Sequence, residues 1–101
     1  MKYLTLAPDY TRSCIKDEFS EIIEIKSLSL PDDFKTQLED WHIEYRKIIP
    51  LDEAERIKKS QLIDKLDKVG ISLTKQLSML IEGGAKIKYF SEGHLKYLPI
   101  D

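Results

Sequence analysis

The sequence predicts an α+β fold, a small antiparallel sheet of N-terminal strand segments plus a C-terminal hairpin, packed against about three helices. Three observations predict it. Alternation of apolar and polar side chains is confined to the two ends of the chain. An apolar period near that of a helix fills the middle. A chain of 101 residues, 42% of them hydrophobic, supplies one modest core, hence a single domain over 1–101.

Lys2-Tyr3-Leu4-Thr5-Leu6 alternates and is β-prone until Pro8-Asp9 stops it, which predicts a strand over Tyr3–Leu6. A turn-rich piece follows. Residues 14–19 then fit a short strand or an irregular loop, and Glu21-Ile22-Ile23-Glu24-Ile25-Lys26 favours strand through its β-branched side chains. Segment 14–28 is thus one strand, two strands or loop.

The spacing of Phe34, Leu38, Trp41, Tyr45 and Ile48 is four, three, four and three, one stripe of a helix over 32–49. Pro31 suits the helix start, Asp32 and Asp33 complement the dipole there, and Pro50 ends it. A second helix over 52–69 opens on the Asp52–Glu55 pair, with Gly70 as its left-handed cap. A third, 73–82, starts from Ser72 and closes at Gly83-Gly84. Ile87–Phe90 and Leu95–Leu98 then make a hairpin around Ser91-Glu92-Gly93-His94. The expected core is Leu4, Leu6, Phe34, Leu38, Trp41, Tyr45, Ile48, Leu62, Leu66, Leu73, Leu77, Leu80 and Ile87 or Tyr89.

Composition narrows the function classes. Sixteen Lys+Arg against eighteen Asp+Glu leave a net charge of −2, without the basic excess of a chain that coats nucleic acid. The apolar fraction is too high for a disordered tail. The longest apolar runs, such as 48–51, are too short to span a membrane. The stretch 3–7 is too short for the core of a secretory signal, and the single cysteine, Cys14, fits a reducing cytoplasm.

No catalytic or metal pattern stands out. Cys14, His42 and His94 are isolated in sequence, so no local element offers two ligands, and a Cys–His nucleophile pair would have to be made by folding. Gly83-Gly84 lacks the Lys and Ser/Thr of a phosphate loop. Lys86, Lys88, Tyr89, Phe90, Lys96 and Tyr97 mix lysines with aromatics. On a hairpin, alternation is expected to send the lysines to solvent and the aromatics to the core.

The acids are more informative. Residues 1–50 carry seven basic and ten acidic side chains, and residues 51–101 nine and eight. Asp33, Asp40 and Glu44 line one flank of the 32–49 helix, and Asp17 and Glu18 are expected on a loop upstream. Charge clusters commonly mean only a solvated face. The functional reading is a docking surface for a basic partner.

A short strand running into Pro8-Asp9-Tyr10-Thr11-Arg12-Ser13, an acidic helix around Trp41 and Tyr45, and the terminal Lys88-Tyr89-Phe90-Ser91-Glu92-Gly93 hairpin resemble the small bacterial immunity proteins encoded beside polymorphic or contact-dependent growth-inhibition toxins. The resemblance implies a cytoplasmic, non-catalytic chain, without cofactor or metal, that neutralises a cognate toxin by covering it. It carries over no contact residue. The expected partner is a basic protein toxin, a nuclease domain, and not nucleic acid itself, a membrane or a small molecule. The expected contacts are Tyr10 and Arg12 as anchors, with Asp17, Glu18, Asp33, Asp40 and Glu44 as the acidic surface. The competing reading is a non-catalytic adaptor or regulatory module.

Overall fold

Alternation decides the first strand, β1 (Lys2–Leu6): Leu4 and Leu6 are buried while Tyr3 faces solvent. In this computed structural model, which describes residues 2–10 and 13–100, β1 is followed by a short strand, β2 (Ile15–Asp17). Three helices come next: α1 (Asp32–Arg46), α2 (Glu53–Lys58) and α3 (Ser60–Leu80). Strands β3 (Ala85–Ser91) and β4 (Lys96–Leu98) close the chain. The sheet order is β2-β1-β3-β4. Sheet and helices give the expected α+β class. No described helix is long and apolar enough to cross a membrane.

The sheet is mixed, not antiparallel. β1 pairs antiparallel with β2, and β3 with β4, but the central pair β1–β3 is parallel, Leu4 facing Ile87 and Leu6 facing Tyr89. The helices between them carry the chain back to the end of the sheet where β1 began, which is what a parallel neighbour requires. Segment 21–26 is not a strand. It contributes a single bridge, Lys16 to Ile22, and then a 3₁₀ turn at Ile25–Leu28 that buries Ile25.

The helix boundaries shift for identifiable reasons. Asp52 caps α2 as expected, its carboxylate accepting from the Glu55 amide at 2.9 Å. The break then falls at Lys59, and α3 runs unbroken through Gly70 and Ser72. Gly70 is therefore not a cap. A Cβ there would collide with the Tyr89 ring, so the glycine lets β3 approach the helix closely. Gly83 and Gly84, with φ of +81° and +80°, do make the exit turn.

With one continuous α3, the buried stripe is Ile63, Asp67, Gly70, Leu73, Thr74 and Leu77. Leu62 and Leu80, expected in the core, are 44% and 39% exposed, and Leu66 is half-buried. Ile87 and Tyr89 are both buried, since residues two apart in a strand share a face. The α1 stripe is buried as expected, and Trp41 donates its indole N–H to the Leu66 carbonyl at 2.9 Å. Arg56 ties α2 down: its guanidinium donates to the carbonyls of Leu51, Glu92 and Ile49.

Candidate partner-binding surface

The outer side of α1 carries the acidic row. Asp33, Asp40 and Glu44 are exposed, and about 1.5 Å of rise per residue puts them roughly 10 and 6 Å apart along the axis. Glu44 pairs with Lys47 at 3.1 Å. The opposite flank of the helix is occupied. Buried His42 meets the Asp9 backbone there, its Nε2 lying 3.1 Å from the amide and 2.9 Å from the carbonyl. At about 100° per residue, Asp40 points some 160° away from His42. The row thus stands on a different side of α1 from the Asp9–Tyr10 segment.

Tyr10, Asp17 and Glu18 border another surface, the sheet face that no helix covers. Register puts Tyr3 beside Lys86, Thr5 beside Lys88, and Phe90 beside Tyr97, all pointing away from the core. Tyr97 packs edge-on to Phe90 with centroids 5.1 Å apart, and Lys88 Nζ lies 5.7 Å from the Tyr97 ring centre. One depression of about 390 Å³ is bordered by Tyr10, Asp17, Phe90 and Tyr97. A second, of about 500 Å³, lies between Asp17 and Glu18 on one side and Lys86 and Lys88 on the other. The expected separation of lysines from aromatics therefore fails: Tyr89 is in the core, but Phe90, Tyr97 and Tyr3 share the lysine face. Alternation within β3 puts Lys86, Lys88 and Phe90 on the same side, a count that the sequence already offered. Arg12 lies outside the described residues.

The six expected contact residues that are described thus do not form one patch. Asp33, Asp40 and Glu44 make a row on α1, while Tyr10, Asp17 and Glu18 rim the bare sheet face.

Behind that face lies a buried polar knot. Asp67, 4% exposed, accepts from the phenols of Tyr45 and Tyr89 on Oδ1, at 2.8 and 2.6 Å, and from Ser91 on Oδ2 at 2.7 Å. The Tyr45 oxygen accepts the Gly93 amide at 2.9 Å, and Ser91 accepts that of His94 at 3.1 Å. The knot therefore joins α1, α3 and the β3–β4 turn. Burial, foremost, raises the pKa of both tyrosines; Asp67 beside Tyr89 adds to the rise. Sequence reading missed Asp67, although its place at i+4 from Ile63 on the α3 stripe was the available signal.

Asp64, Asp67 and His94 bring ligand atoms within 4.8 Å of one another. Both Asp67 oxygens already accept hydroxyls, and Lys68 and Lys96 line the same depression, which disfavours a cation there. Cys14 is buried, and its thiol pKa is pushed up to about 12 by that burial, which makes it a poor nucleophile.

The family model described as Serratia CdiI immunity protein-like matches residues 2–92. No curated protein matches the chain.

Proposed function

The chain belongs to the Serratia CdiI immunity protein-like family, and from that premise we propose that it neutralises a cognate nuclease toxin by covering its active site in a stoichiometric complex. The observation that carries this reading is the row Asp33, Asp40 and Glu44 on the outer side of α1. A nuclease holds a polyanion, so its groove is basic. A helix that presents carboxylates where phosphates would lie fits such a groove, and unlike charge speeds the encounter. In this reading the protein acts in the cytoplasm and performs no catalysis of its own. The toxin receives the α1 row; Tyr10, Asp17 and Glu18 belong to the other face.

The test is protection in cells that express the toxin domain encoded beside this chain. Wild type is expected to restore growth, and D33K/D40K/E44K to protect poorly at low expression while its circular dichroism is unchanged. Exposed charges each contribute only tenths of a kcal/mol, roughly, so the triple reversal is the fair test. Full protection by it would remove the α1 row from the reading.

A further inference from the structure

We propose that the bare sheet face is where a second copy of this chain docks, giving a weak two-fold dimer. A two-fold interface must be complementary to itself. The depression on this face offers such a pairing, with exposed Glu18 beside the Asp17 turn on one wall and Lys86 and Lys88 on the other. Among the described residues, Glu18, Lys86 and Lys88 make no ion pair within their own chain. A two-fold axis parallel to the strands lays β3 of one copy over β1 of its partner, and β2 over β4. Lys86, level with Tyr3, then comes over the partner's Glu18, Lys88, level with Thr5, over the partner's Lys16–Asp9 ion pair, and Tyr97 over the partner's β2 side. Sheets stack about 10 Å apart, a gap that lysine side chains bridge.

Tyr3 and Tyr97, 52% and 60% exposed, supply the apolar contact, with Phe90 behind Tyr97. Carboxylates inside the same depression repel phosphates, which disfavours a nucleic acid as the occupant. Size sets the strength. Four strands about 4.8 Å apart and about 23 Å long at most offer roughly 400 Å² per copy. Stable complexes bury about 800 Å² per partner, so the dimer is a weak one.

Sedimentation equilibrium on the full chain from about 5 to 300 µM tests this. The expected mass rises from 11.8 kDa towards twice that value. Asp17 also caps its own turn, accepting the amides of Phe19 and Glu21, so the acidic wall is tested at Glu18 alone. K86E/K88E and E18K should each stay monomeric throughout, and mixing the two should restore dimer, because both contacts of the mixed pair then set an acid against a lysine, one native and one reversed. K65E/K75E, with the same net charge as K86E/K88E but altered on α3, should dimerise like wild type. A monomeric wild type at 300 µM would overturn the proposal. So would a dimer indifferent to the reversals, or reversals that abolish toxin protection in a protein that never dimerises, since the face would then be the toxin's.

Discussion

Tyr89 of β3 lies against the bare Cα of Gly70 in α3, and its phenol reaches past that point to Asp67 at 2.6 Å. One missing side chain thus lets the central strand and the long helix close on each other, and the buried carboxylate fixes where they meet.

Gly70→Ala is expected to destabilise the protein. In an exposed helix the same change gains about 1 kcal/mol. Here the new methyl displaces the Tyr89 ring, and overpacking of this kind costs about 1–3 kcal/mol. Urea unfolding gives the sign directly, and a more stable variant would contradict the close approach.

Asp67→Ala should cost several kcal/mol, because three hydroxyls that now donate to the carboxylate lose their acceptor, at about 1–3 kcal/mol for each one left unpaired. Loss of less than about 1 kcal/mol would mean that water or rearrangement satisfies the knot.

Stability should fall at both ends of the pH range. The tyrosine pKa values are raised in the fold, so above the ordinary value of 10.0 the unfolded chain loses protons that the native one keeps. That contribution is complete below pH 10 and declines above it as the unfolded phenols ionise. His42 behaves oppositely. Burial lowers its pKa from 6.5, so its contribution is present above that value and is lost as pH falls through the native one. Unfolding free energies from pH 4 to 11 should show both arms, with the acid arm reduced in His42→Gln.

Leu38→Ala should cost about 2–5 kcal/mol, since the side chain is fully buried, whereas Leu62→Ala should cost less than about 1 kcal/mol. Equal losses would contradict the α3 stripe that buries Ile63 and leaves Leu62 exposed.

These four outcomes also mark what the sequence showed and what it hid. The α1 stripe, the Asp52 cap and the β1 alternation were legible because each depends on neighbours in the chain. The parallel β1–β3 pairing was not, because it depends on where the helices return the chain. The α3 register was misread at Gly70, where the glycine answers to Tyr89, a residue far along the chain, and not to a helix end. The acidic row on α1 could be read from helical spacing alone. Its separation from Tyr10, Asp17 and Glu18 could not, since only the fold sends Asp9 to the His42 flank. The sharing of one face by Lys86, Lys88, Phe90 and Tyr97 required the β3–β4 register.

Capture of a basic toxin by the carboxylate row of α1 can be followed by association kinetics with the purified toxin domain. Rates should be measured for wild type and D33K/D40K/E44K at about 50 and about 500 mM salt. The expected result is a one-to-one complex whose association at low salt is slowed about tenfold or more by the triple reversal. The difference should shrink at high salt, with dissociation changed less. Association rates that are the same for both proteins at both salt concentrations would contradict it.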